Sequence, residues 1–83
     1  MEKVQALTNR FSLNNGEVNH DYRVVDINGE FKIKRRLLDF GFVDTNIRIL
    51  HKSSLNGVFL LQIRGFVLSL RASLVANIIV EEA

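Results

Sequence analysis

Eleven Lys and Arg against nine Asp and Glu leave this 83-residue chain a formal charge of only +2, which excludes a polycationic protein and gives a weak bias toward an acidic partner. A chain of this size forms one domain and buries only about 60% of the surface its unfolded form exposes; with no cysteine, it has no disulfide staple and no thiolate metal site. No stretch approaches the roughly 18 consecutive apolar residues of a membrane span, and the segment from Met1 to Thr8 lacks the apolar core of a signal peptide, so a cytoplasmic location is expected.

Residues 1–21 form an N-terminal segment of mixed pattern. Val4, Leu7 and Phe11 sit at helix-like spacing, which fits either a short amphipathic helix or a tail folded onto the domain. Leu13-Asn14-Asn15-Gly16 reads as a turn, because asparagine and glycine tolerate positive φ. Tyr22 to Ile27 alternates Tyr22 and Val24 against Val25 and Ile27, the pattern of a strand buried on both sides.

Asn28 is placed to cap a helix with Glu30 in its first turn. That helix runs over about residues 30–40 and stops at Gly41, which fits the left-handed position after a helix and brings Phe42 back against Leu37. At about 100° per residue, Ile33, Leu37 and Phe40 share one stripe, while Phe31 and Leu38 fall nearly opposite. The helix therefore has a second apolar face, flanked by Arg35, that needs a cover: the N-terminal segment, a second copy of the chain, or a partner.

Asn46 to Leu50 reads as a strand with Ile47 and Ile49 inward, and Lys52 to Gly57 as a polar loop closed by Asn56-Gly57. Val58 to Ile63 puts Phe59, Leu61 and Ile63 on one face. After the two-residue turn Arg64-Gly65, the next strand puts Phe66, Leu68 and Leu70 on one face. Ser73 to Asn77 fits one helical turn, and Ile78-Ile79-Val80 a closing strand. The expected fold is mainly β: a small barrel of five or six strands, one short helix, and a helical turn near residues 73–77.

Chemistry is sparse. The two histidines, His20 and His51, stand at no ligand spacing, and the neighbours His20 and Asp21 point to opposite faces of a strand. Ser53 and Ser54 follow His51 closely, but serines after a strand serve turns, and no nucleophile elbow or phosphate loop occurs. An enzyme is not expected. Lys32, Lys34, Arg35 and Arg36 make the helix basic, yet the outward aromatics that single-stranded nucleic acid stacks on are missing, since Phe40, Phe59 and Phe66 read as core. A solvated helix face or a docking patch for an acidic protein surface is the better match for that helix, and nucleic acid is not expected. Leu38, Leu50, Val67, Leu74 and Ile79 each lie opposite a residue assigned to the core, more apolar surface than one small barrel buries. The candidate partner-binding residues are Phe31, Arg35, Leu38, Leu74 and Ile79.

Arg35-Arg36-Leu37-Leu38-Asp39-Phe40-Gly41-Phe42, the strand Ile47-Arg48-Ile49-Leu50, and Val58 through Arg71 with Ile78 and Val80 resemble the family of ferrous iron transport protein A (FeoA). The resemblance covers roughly residues 22–80 and implies an SH3-like domain over residues 22–83. It also implies an accessory or adapter protein of ferrous iron uptake that works by contact with the cytoplasmic region of FeoB, a membrane GTPase transporter. The same domain closes metal-dependent repressors, but no DNA-binding helices precede it here. Two other functions fit such a module: a metal-responsive regulatory domain and a homodimeric interaction domain. The resemblance extends to transition-metal binding, for which this sequence offers no obvious ligand set; no cofactor is expected beyond weak binding of divalent transition metals. Where the family usually shows Pro-Gly-Thr after the helix, this chain has Val43-Asp44-Thr45-Asn46, so aspartate and asparagine must make the tight turn.

Overall fold

Alternating apolar residues dictate strands, and a computed structural model of the chain, describing residues 9–39, 41–42, 44–53 and 57–83, contains six of them among those residues. They are β1 (Phe11–Ser12), β2 (Asp21–Ile27), β3 (Asn46–Ser53), β4 (Val58–Ile63), β5 (Phe66–Arg71) and β6 (Ile78–Glu82). Helix α1 spans Phe31–Asp39, α2 is a single turn at Ala72–Val75, and a 3-10 turn covers Leu13–Asn15. The strands form one antiparallel sheet in the order β1-β6-β2-β3-β4-β5. The result is a small SH3-like barrel. The last strand lies between the first two, so the start and end of the domain meet in β6.

The inward set is apolar throughout. Leu13, Tyr22, Val24, Ile27, Leu37, Phe42, Ile47, Ile49, Phe59, Leu61, Ile63, Leu70, Val75, Ile78 and Val80 form one buried cluster, and no polar side chain is buried among the described residues. In β4 the expected alternation is exact to the residue, with Phe59, Leu61 and Ile63 inside and Leu60 and Gln62 outside.

β2 departs from the expectation of burial on both faces. Its register against β6 slips between Val24 and Asp26, so Val25 is an extra residue. The bulge shifts side-chain parity by one, and Tyr22, Val24 and Ile27 all enter the same core while Val25 is only half-buried. Leu50 plays the same part in β3, where the register against β4 slips between Ile49 and His51. Two bulges on neighbouring strands bend the sheet around its core. β3 also runs past Leu50 to Ser53, and Lys52, expected in a loop, sits in the strand with its ammonium 5.5 Å from the Phe59 ring centroid and 3.3 Å from the Asn14 carbonyl oxygen, to which it donates. Its methylene stem covers apolar surface while the charge reaches polar partners.

The turns confirm most of the local chemistry and correct some of it. Arg64 and Gly65 both have positive φ, as a two-residue hairpin of matching twist requires, and Asp44 at φ +57° makes the turn after the helix. Gly16 is different: its φ is −75°, and it is glycine because an added Cβ would lie 2.9 Å from the Tyr22 ring. α1 begins at Phe31, so Glu30 rather than Asn28 takes the position just before it, and the Glu30 carbonyl accepts the first helical bond from Lys34 N–H; the Asn28 backbone N–H donates to the Asn77 carbonyl at 2.7 Å. At the other end, the Gly41 N–H donates to Leu38 O at 2.9 Å and the Phe42 N–H to Leu37 O at 3.4 Å, with Gly41 at φ +79°. These are the two reversed bonds of a Schellman ending. Because a side chain at that φ costs about 1–2 kcal/mol, Gly41→Ala should lower the unfolding free energy by that amount, read as a lower urea midpoint at unchanged slope. An unchanged midpoint would show that the glycine is dispensable.

Val4, Leu7, Phe40, Val43, Ser54 and Asn56 lie outside the described residues. Phe11 is in β1, paired with Val80, and packs edge-on against Tyr22 at 5.5 Å.

A candidate docking surface on helix α1

Helical spacing sorts α1 into two faces. Leu37 is buried and Ile33 packs partly buried against the barrel core, which fixes the inner face. Phe31, Lys34, Arg35, Leu38 and Asp39, at steps of three, four, seven and eight, fall on one outer face and line a shallow concavity of about 400 Å³. Phe31 is 75% exposed and Leu38 43%. The three candidates Phe31, Arg35 and Leu38 are therefore neighbours on one surface. Of the charged residues that line it, Lys34 and Arg35 make no ion pair among the described residues and Asp39 is the single acid, so the apolar centre has a mainly basic rim.

Leu74 and Ile79 do not join that surface. Leu74 in α2 is partly buried against the core and lines a second depression with Arg36, Ser69, Leu70, Arg71 and Ser73. Ile79 sits in β6 between Ser12 and Asp26, outward of the buried Ile78 and Val80 but half-covered. Neighbouring strands cover what the alternation alone leaves exposed.

Sequence reasoning missed other apolar surface. Phe66, assigned to the core, is 43% exposed: its parity is inward, but it opens the edge strand β5 beside the hairpin turn and has a neighbouring strand on one side only. Leu60 (37%) faces outward from β4; Val67 (50%) faces outward from β5, as the alternation predicts. The outward parity of Leu60 between Phe59 and Leu61 was the signal available for it.

The ionisable groups are at the surface. Arg48 donates to both Asp21 carboxylate oxygens, Nε at 2.7 Å and Nη2 at 3.1 Å, and these hydrogen bonds hold the Asp21 carboxyl below its ordinary value. His20, tilted against the Tyr22 ring at 4.8 Å, shares a hydrogen bond with Glu82, and that bond raises its pKa above 6.5. A histidine whose folded pKa exceeds its unfolded one contributes stability that is fully present below pH 6.5 and lost as pH rises through the folded value. A proton NMR titration should therefore place His20 above the ordinary histidine value, and Glu82→Gln should bring it down; an unmoved His20 would remove Glu82 as the cause. Among the described residues no three His, Cys, Asp or Glu side chains gather as a metal-ligating group. His51 stands exposed on β3 opposite Leu60.

A family profile described as FeoA domain matches residues 11–82, beginning at β1 and so taking in part of the segment before β2. Among solved structures, the chain is similar to an FeoA-like protein from Clostridium acetobutylicum at 34% identity and a TM-score of 0.81, covering 90% of this chain and 88% of that one. It is also similar to the FeoA protein from Chlorobium tepidum at 22% identity and 0.78, covering 87% and 70%. A manganese-dependent transcriptional repressor shares the fold at 18% identity and 0.83, covering 90% of this chain but 37% of the repressor. A comparison with curated protein sequences returned no match.

Proposed function

The chain belongs to the FeoA domain family, a membership that implies a role in ferrous iron uptake, and from it we propose that this protein is an accessory subunit that docks the outer face of α1 onto the cytoplasmic region of an FeoB-type GTPase transporter. It acts by contact, without turnover of its own. The observation that supports this reading is Phe31, three-quarters exposed beside Leu38 over a concavity of about 400 Å³. An aromatic and an aliphatic side chain flanked by Lys34 and Arg35, with Asp39 the one acid beside them, have the make-up of an interface centre with a mainly basic rim. The rim suits an acidic partner surface and steers it by charge. No helix among the described residues is long and apolar enough to cross a membrane.

The test is co-purification with the transporter's cytoplasmic region, with and without nucleotide, beside a measurement of solution mass. Leu38→Asp and Arg35→Glu should leave the fold intact, since both side chains are exposed. Loss of one anchor is worth about 2 kcal/mol or more, so binding should weaken about thirtyfold. A doubled solution mass that Leu38→Asp halves would make a second copy the occupant. Identical behaviour of wild type and both variants in every assay would rule out this face as the docking site.

A further inference from the structure

A second surface, independent of the α1 face, lies along β5. Among the described residues β5 pairs through all six positions with β4 and with no other strand, which makes it an edge. The depression of about 530 Å³ beside it is lined by Ser69, Leu70 and Arg71 together with Arg36, Ser73 and Leu74. Consecutive side chains on a strand point to opposite faces. A depression lined by three in a row abuts the backbone of β5, the strand whose outward N–H and C=O groups take part in no other backbone hydrogen bond among the described residues.

Its chemistry has one sign. Arg36 and Arg71 are exposed and make no ion pair among the described residues, and no hydrogen bond engages the hydroxyls of Ser69 or Ser73. Leu70 and Leu74 supply an apolar floor. We propose that this edge accepts an extended, acidic segment of a partner protein as an added strand, its backbone pairing with β5 and its carboxylates meeting Arg36 and Arg71. Strand addition of this kind draws affinity from main-chain hydrogen bonds and selectivity from alternate side chains, and guanidinium–carboxylate pairs are strong, directional contacts. A second copy of this chain does not meet those terms. From Arg64 to Leu74 the sequence carries two arginines and no acid, so pairing β5 with its twin would bring no carboxylate to either guanidinium.

The probe is the capped peptide acetyl-Glu-Val-Glu-Val-Glu-amide, titrated into the full-length, isotope-labelled chain and followed by amide NMR, with acetyl-Lys-Val-Lys-Val-Lys-amide and inorganic phosphate as controls. The acidic peptide should shift the amides of residues 66–71 saturably and slow their hydrogen exchange, while Arg36→Glu and Arg71→Glu each weaken it about tenfold. The neutral variants Arg36→Gln and Arg71→Gln should fall between, and an unchanged spectrum elsewhere reports an intact fold. The basic peptide should bind no better than these charge-reversed variants bind the acidic one. Three results would each overturn the proposal: equal binding of both peptides, shifts centred away from β5, or phosphate producing the same shifts and exchange protection as the acidic peptide.

Discussion

Phe42→Ala should remove about 3–5 kcal/mol of folding stability, the range for deleting a fully buried aromatic and leaving its cavity. Phe42 is 0% exposed and follows directly on the glycine that ends α1, so it both fills the barrel and ties the helix to it. A domain of this length holds roughly 4–12 kcal/mol in total at 0.05–0.15 kcal/mol per residue. The loss is thus about a quarter of that total or more, and should appear as a much lower urea midpoint at unchanged slope. Phe31→Ala is the control: exposed as it is, it should change stability by no more than about 0.5 kcal/mol. The same side chain lost at two places eleven residues apart separates packing from surface. Equal losses would mean that Phe31 is covered in the folded protein and is no candidate anchor.

Gly16→Val should cost nearly as much, about 3 kcal/mol, at the upper end of the usual overpacking range. Backbone strain contributes nothing, because φ is −75°. The cost is contact: a Cβ there meets Tyr22 Cε2 at 2.9 Å and both Ile49 Cδ1 and the Leu13 carbonyl oxygen at 3.1 Å. Tyr22 cannot swing away freely, since its hydroxyl accepts the Glu17 N–H at 2.8 Å. Denaturant melts of Gly16→Val, Tyr22→Leu and the double variant check the mechanism. If the ring is the obstacle, the double variant loses less than the sum; strict additivity would place the strain elsewhere.

What could be read from the sequence was whatever depends on near neighbours. The helix stop at Gly41, the Arg64-Gly65 hairpin, the turn carried by Asp44 and the inward set of β4 are each encoded within a few residues. The bulges at Val25 and Leu50 are not, because parity within a strand changes only through its pairing with another strand. That is why β2 looked apolar on both faces. Gly16 belongs to the same class: turn chemistry suggested its presence, but the reason for it is the Tyr22 ring packed over it. For the candidate surface, Phe31, Arg35 and Leu38 were legible as a helix face opposite Leu37. Leu74 and Ile79 were separated from them by packing, and the exposure of Phe66 followed from its place at the start of an edge strand, which no local pattern marks.

The position of β6 bears on when, during synthesis, this domain can fold. Among the described residues β1 has no other strand partner, and β2 must leave one side open, until residues 78–82 have been made. A nascent chain complete through β5 can pair β3, β4 and β5 as a meander, yet it still presents Tyr22, Val24 and Ile27 without the strand that covers them. Pairings so distant in sequence are slow to form, and apolar strand edges left waiting are prone to aggregate. Release of the last strand, rather than formation of the helix or the hairpins, is then the step that commits the chain to its native state.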